Sequence, residues 1–187
     1  MANRHPRVRI LNPGPGVGGH CIPVDPYFLI ECAPHLTPLI QTARMVNNGM
    51  VDYVVNLVYE ISKQQGLRRW VVLGAAYKAD ISDERNSPAL QIADRLEKQG
   101  LHVVIHDPFV DRFNRPLEEL VTGADGLLLI TDHTQYLTLD PESVGSRMAR
   151  RVLIDTRLRL DADTWEAHGF MVWRLGDGRR MRVGVGQ

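Results

Sequence analysis

Arg69-Trp70-Val71-Val72-Leu73-Gly74-Ala75-Ala76-Tyr77-Lys78-Ala79-Asp80-Ile81-Ser82-Asp83-Glu84-Arg85-Asn86-Ser87-Pro88 is the stretch that decides the fold. The run over 69–75 is apolar at consecutive positions, as in a strand covered on both faces of a parallel sheet. A polar loop follows. Ser87-Pro88 then supplies a side-chain cap and a proline at the first helical position, opening a helix that ends at Gly100. Buried strand, loop and capped helix are the first half of a βαβ unit.

The same rhythm continues downstream. A strand over 102–106 is broken by Asp107-Pro108, and a helix is expected over 116–123. Strands over 126–131 and 151–155 flank a short helix at 140–149, and 172–175 reads as an edge strand. Strands alternating with helices predict an α/β fold with a doubly wound, Rossmann-like parallel sheet. Ligands of such sheets bind beyond the carboxyl ends of the strands. Those ends carry Tyr77-Lys78, Asp107, Thr131-Asp132-His133 and Asp155-Thr156-Arg157.

Upstream, Leu39, Ala43, Val46, Met50, Val54, Leu57, Val58 and Ile61 recur at helical spacing, and Gly66 sits where a C-terminal cap belongs. A long helix is expected there, with an apolar face longer than one small sheet needs. Before it, seven of the eleven prolines fall in the first 38 residues, beside Gly14-Pro15-Gly16-Val17-Gly18-Gly19. Proline removes donors and glycine frees the backbone, so this part reads as irregular. The chain thus divides into 1–66 and 67–187.

A formal net charge of zero, with no block of Lys or Arg, argues against a nucleic-acid partner. No apolar run approaches the roughly 18 residues that span a bilayer, so no membrane partner is expected. The opening Met-Ala-Asn-Arg-His-Pro lacks the apolar centre of a signal peptide. Cys21 and Cys32 fit a reduced compartment better than a disulfide framework, and a cytoplasmic location is expected.

Two constellations could carry chemistry. In Gly18-Gly19-His20-Cys21-Ile22-Pro23-Val24-Asp25, glycines allow close backbone approach to a ligand and Cys21 is placed as a nucleophile, with His20 and Asp25 available to tune it. A Pro/Gly linker holding a buried cysteine fits the same residues. Cys32 has no such setting and reads as a structural thiol. In the loop after the first strand, Lys78 and Arg85 lie between a strand end and a helix start, where phosphate is favoured. A solvated loop, with both cations paired to Asp80, Asp83 and Glu84, fits equally well. The seven histidines show no ligand-like pairing with the cysteines, so no metal is expected. Asp132-His133 reads as an ordinary loop.

Taken together, the two segments resemble the UDP-glucose/GDP-mannose dehydrogenase family. The first matches that family's G-x-G-G-x-C-x-x-x-D segment over Gly16–Asp25. The second matches its aromatic-Lys-x-Asp-x-x-Asp-x-Arg-x-Ser-Pro motif over Tyr77–Pro88. Residues 2–8, 14–26 and 132–136 look most like the branch oxidising UDP-N-acetylmannosamine, with the UDP-N-acetylglucosamine branch next.

The resemblance implies oxidation of a sugar C6 alcohol to a carboxylate, with NAD as cofactor and a UDP-sugar as substrate. It implies Cys21 as the nucleophile, through a thiohemiacetal and a thioester, and Asp25 as an aid to hydrolysis. Gly18, Tyr77, Lys78 and Arg157 would be substrate contacts, and Arg85 a contact to NAD. His5 and Arg7 would reach the substrate of a neighbouring subunit. Residues 39–65 would be the dimerisation helix of a homodimer, and 67–187 the UDP-sugar-binding domain.

The family's N-terminal G-x-G-x-x-G domain has no counterpart in these 187 residues, so the chain alone is expected to be inactive. A non-catalytic UDP-sugar-binding and dimerisation module is the alternative, as is a dehydrogenase for UDP-N-acetylglucosamine or UDP-glucose. A stand-alone cysteine hydrolase is the weaker third reading, since no His/Asn pattern accompanies Cys21.

Overall fold

A computed structural model describes residues 12–176. Five parallel strands form one sheet in the order β2-β1-β3-β4-β5. They are β1 (Arg69–Leu73), β2 (His102–His106), β3 (Gly126–Leu129), β4 (Val152–Asp155) and β5 (Met171–Arg174). The helices are α1 (Asp25–Cys32), α2 (Pro38–Gln65), α3 (Pro88–Lys98), α4 (Leu117–Val121), α5 (Pro141–Gly145) and α6 (Ala162–Ala167). The α/β, doubly wound parallel architecture behind a long helix is therefore the observed one.

Strand period two divides the core. Trp70 and Val72 of β1 face α2 and α3, in a cluster with Val54, Val58, Ile92 and Leu96. Val71 and Leu73 face the other side, among Leu120, Val144 and Trp165 of α4, α5 and α6. Every residue from Trp70 to Leu73 is fully buried, because both faces are covered.

Trp70 also fixes how α2 lies on the sheet. Its ring occupies the space a side chain at Gly126 would need, and its Nε1–H donates to Ser62 Oγ at 2.9 Å. Ser62 Oγ–H in turn donates to the Val58 carbonyl at 2.7 Å, so no polar atom of the pair is stranded in the core. Gly66 ends α2 in the left-handed conformation, φ 68°, that favours glycine.

The 28 residues of α2 span about 42 Å, more than the sheet can cover. Its buried residues begin at Val51, whereas Leu39 is 81% exposed and Val46 61% exposed. The apolar face thus packs on its own sheet only over the C-terminal half. No described helix is long and apolar enough to cross a membrane.

Two expectations need correction. The Pro/Gly-rich segment contains the regular helix α1, because Pro26 falls in its first turn, where a missing N–H costs nothing. Cys32, at the end of that helix, is exposed and takes no part in the core.

Candidate functional site

The strand order turns back on itself at β1, with β2 on one side and β3 on the other, so the loops leaving β1 and β3 diverge and open a crevice. Tyr77 and Lys78 follow β1, Thr131-Asp132-His133 follow β3, and Arg157 follows β4.

The turn that presents Tyr77 and Lys78 is tied down by side chains from neighbouring strands. Gly74, at φ 95°, runs against Thr131 where a β-carbon would not fit. Thr131 Oγ–H donates to the Ala76 carbonyl at 2.6 Å. The N–H groups of Ala75 and Ala76 donate to Asp107 Oδ2 at 2.6 and 2.9 Å, and those of Phe109 and Val110 to Asp107 Oδ1 at 2.8 and 3.2 Å. Burial alone would raise the Asp107 pKa. Donation from His133 and the backbone outweighs it and holds the carboxyl down at about 2.

His133 is not part of an ordinary loop. It is fully buried, with Nε2 2.9 Å from Asp107 Oδ2 and Nδ1 2.9 Å from the Asp80 nitrogen. A backbone N–H can only donate, so Nδ1 is bare and Nε2 carries the proton. Beside it, Tyr136 Oη–H donates to the His106 carbonyl, and the His106 Nδ1–H donates to Tyr136 Oη, both at 2.8 Å. Burial raises the Tyr136 hydroxyl pKa and lowers that of His106.

The glycine-rich strap lies on the other side of the same turn. The Gly19 N–H donates to the Arg85 carbonyl at 2.8 Å, and Asn86 Nδ2 donates to the Gly19 carbonyl at 2.9 Å. A β-carbon at Gly18 would come within 2.7 Å of Tyr77 Cβ and 2.8 Å of the Asn86 carbonyl oxygen, so only glycine lets the strap seat. This seating carries Cys21 to the edge of the Tyr77 loop. Cys21 is exposed, and its carbonyl accepts the N–H groups of Val24 and Asp25 in the turn that starts α1. Asp25, also exposed, is the first residue of that helix. His20 Nδ1 lies 3.3 Å from Arg85 Nη2, and its ring stands edge-on to Tyr77, with centroids 6.5 Å apart.

The cations of the site are held differently. Arg85 Nε donates to both carboxylate oxygens of Asp83 at 3.0 Å, and this pairing holds Asp83 at about 2 and raises Arg85. Arg157 Nε and Arg159 Nε share Asp132, one oxygen each, at 3.1 Å. Asp155 accepts the N–H groups of Arg157, Arg159 and Leu160, which curls the loop after β4 and places Leu158 at φ 55°. Lys78 is exposed and has no ion-pair or hydrogen-bond partner among the described residues. Gly14 runs so close to the Arg157 guanidinium that a β-carbon there would collide with it. A largely apolar cavity of about 740 Å³ adjoins this contact, bordered by Gly14, Val17, Asn47, Met50, Thr156 and Leu158.

His5 and Arg7 lie outside the described residues. Gly18, Cys21, Asp25, Tyr77 and Arg85 are brought to one seam, and Lys78 and Arg157 to the ends of β1 and β4. Asp107 and His133 were named in sequence only by their place at strand ends and Asn86 only within the Tyr77–Pro88 motif, none with a role, while Asn47, whose Oδ1 accepts the Val17 N–H at 3.3 Å, was not singled out. Their one shared signal is position beyond strand ends or on helix faces. The described residues do not form a complete site for NAD. Gly74 is the lone glycine of the turn after β1, and it packs on Thr131, while Arg85 offers a single exposed cation. Among the described residues no cluster of three His, Cys, Asp or Glu could hold a metal.

Comparison with known proteins bears on the same segments. The sequence model of the UDP-glucose/GDP-mannose dehydrogenase family, UDP binding domain, matches residues 71–162, and that of the same family's central domain matches residues 1–49. The UDP-N-acetyl-D-mannosamine dehydrogenase of Methanocaldococcus jannaschii is 38% identical over 185 residues, which are 96% of this chain and 43% of the relative. The NDP-N-acetyl-D-galactosaminuronic acid dehydrogenase of Ralstonia nicotianae is 40% identical over 166 residues, 84% of this chain and 38% of the relative. The structure of the UDP-D-ManNAc dehydrogenase from Pyrococcus horikoshii superimposes with a TM-score of 0.84 at 36% identity, covering 95% of this chain and 43% of that one. The chain therefore spans less than half the length of these relatives. With both of its signature segments meeting at one seam and both family domains matched in order, the chain belongs to the UDP-glucose/GDP-mannose dehydrogenase family.

Proposed function

We propose that this chain supplies the nucleotide-sugar site and the nucleophile of a longer NAD-dependent UDP-sugar 6-dehydrogenase, with UDP-N-acetylmannosamine as substrate. One observation carries the reading: the strap bearing Cys21 is seated through Gly18 and Gly19 on the loop bearing Tyr77 and Lys78. In this reading residues 1–66 hold the reactive loop and central helix, and 67–187 form the UDP-sugar-binding domain.

Lys78 and Arg157 extend from strands two positions apart in the sheet, roughly 10 Å, which suits two cations gripping a diphosphate. Tyr77 offers a ring beside the strap, and Gly18, whose missing side chain lets the strap seat against Tyr77, is assigned as a substrate contact through its backbone. Cys21 Sγ, as thiolate, adds to the C6 aldehyde carbon and forms a thiohemiacetal. Loss of hydride leaves a thioester, and water then cleaves the C–S bond, returning the thiol and releasing the carboxylate. Asp25, one turn beyond Cys21, positions that water. NAD⁺, bound mainly outside the described residues, would accept the hydride, with Arg85 at its edge. His5 and Arg7 are assigned to the substrate of a partner subunit.

The test is an absorbance assay of the complete enzyme with UDP-N-acetylmannosamine and with its UDP-N-acetylglucosamine epimer. Two NADH per sugar, with preference for the first, is the expected result. No NADH with either would overturn the reading.

The same reading makes the protein a cytoplasmic homodimer joined through the N-terminal half of α2. Leu39 and Val46 are the exposed positions there, whereas Val54 is buried on the chain's own sheet. Leu39→Asp with Val46→Asp should shift the light-scattering mass from dimer to monomer and leave the far-UV spectrum unchanged. A wild-type chain that is monomeric at high concentration would contradict it.

A further inference from the structure

We propose that His133 is a positioning residue for the nucleotide site, acting through its bond to Asp80 rather than through its bond to Asp107. The inference rests on the assignment of Tyr77 and Lys78 to that site.

A lysine that is to grip phosphate has to be held in place. Among the described residues the Lys78 side chain has no partner, so its position is inherited from the backbone on either side. The N-terminal side, Ala75 and Ala76, is anchored on Asp107 and Thr131. On the C-terminal side the first anchor is Asp80, which sits at φ 59°, a conformation that disfavours non-glycine residues and needs support. That support is a reciprocal clamp. The Asp80 N–H donates to His133 Nδ1 at 2.9 Å, while Thr134 N–H and Oγ–H donate to the Asp80 carboxylate at 2.8 and 2.6 Å. Lys78 therefore lies in a short span pinned at both ends, and His133 is the buried half of the second pin.

His133 is itself immobilised. The Phe109 ring covers one face, tilted by 30° with centroids 5.0 Å apart, and Tyr136 stands edge-on at 5.5 Å. Its Nε2–H bond to Asp107 fixes the tautomer that leaves Nδ1 as an acceptor. A histidine serving only to fill the core would need neither the bare Nδ1 nor a strained partner.

Calorimetric titration of this chain with UDP separates the two roles. In His133→Asn the side-chain oxygen stands near the place of Nδ1 and keeps the acceptor for Asp80. In His133→Gln the amide nitrogen stands near Nε2 and keeps the donor to Asp107. Both variants lose one core bond and should lose similar thermal stability. UDP affinity should stay within about threefold of wild type for Asn and fall about tenfold for Gln. Thr134→Val, on the exposed side of the clamp, should weaken UDP about threefold without touching the core. Equal losses for Asn and Gln, wild-type affinity in Gln, or no effect of Thr134→Val would each overturn the proposal. If the wild-type chain binds no UDP, the nucleotide-site reading falls first. If it does bind and the variants do not separate as described, only the role of His133 falls.

Discussion

Cys21→Ser in the complete dehydrogenase is expected to abolish the second oxidation while leaving the first measurable. Alcohol oxidation needs a base and a hydride acceptor, and neither is supplied by Cys21. Carrying an aldehyde to an acid needs a covalent tetrahedral adduct from which hydride can leave. A thiolate forms that adduct readily near neutrality, whereas an unassisted serine hydroxyl has almost no anion to offer. Among the described residues nothing around position 21 compensates. His20 lies against Arg85, and the only hydrogen bonds at Cys21 among those described are to its carbonyl. A loss on the order of 10³-fold or more in acid formation follows. The measurement is NADH formed per sugar, with mass spectrometry of the protein for a stranded adduct. Cys32→Ser is the control, because that thiol is exposed at the far end of α1. Two NADH per sugar from Cys21→Ser at a near wild-type rate would remove Cys21 from the chemistry.

Asp107→Ala should be the most damaging single change to the fold near the site. The carboxylate is fully buried and accepts from four backbone N–H groups and from His133. Truncation leaves those donors without partners in a space too dry to replace them. Even allowing for relaxation, the cost is about 4 kcal/mol, or on the order of 10 °C in melting temperature.

The same residue sets an acid limit on stability. Its folded pKa, about 2, lies below the ordinary carboxylate value of about 3.9. The stabilisation is therefore fully present above about pH 4 and is lost as pH falls through about 2, amounting to about 2 kcal/mol. The gap in melting temperature between wild type and Asp107→Ala, recorded from pH 6 down to pH 2, should narrow by about half at the acid end. Parallel curves over that range would show that the carboxylate is not the source.

Much of this could be read locally. Ser87-Pro88 announced α3, and Ser87 Oγ does accept the Ala89 N–H at 3.2 Å. Gly66 announced the end of α2, and the unbroken apolar run of β1 announced a strand buried on both faces. The signature segments, read side by side, pointed to the family before any geometry was available.

What escaped the sequence depends on distance or on a partner surface. His133 and Asp107 are 26 residues apart, and nothing local tells that a loop histidine will be enclosed by Phe109 and Tyr136. The helical spacing of α2 runs evenly through Leu39 and Val46, because the periodicity of a helix records an apolar face without recording what covers it. Helix α1 was hidden by its proline, since Pro26 marks either a loop or a first helical turn until the following residues are seen to close hydrogen bonds.

The most direct measurement is calorimetric titration of this chain with UDP and, separately, with NAD⁺, in wild type and in Lys78→Ala. Lys78 is exposed and has no partner among the described residues, so its removal should leave the fold intact and act on the ligand alone. The expected result is saturable UDP binding, no measurable NAD⁺ binding, and a loss of about tenfold in UDP affinity for Lys78→Ala. Saturable NAD⁺ binding with no response to UDP, or UDP binding indifferent to Lys78→Ala, would contradict the assignment of the sheet's carboxyl edge to a uridine diphosphate sugar.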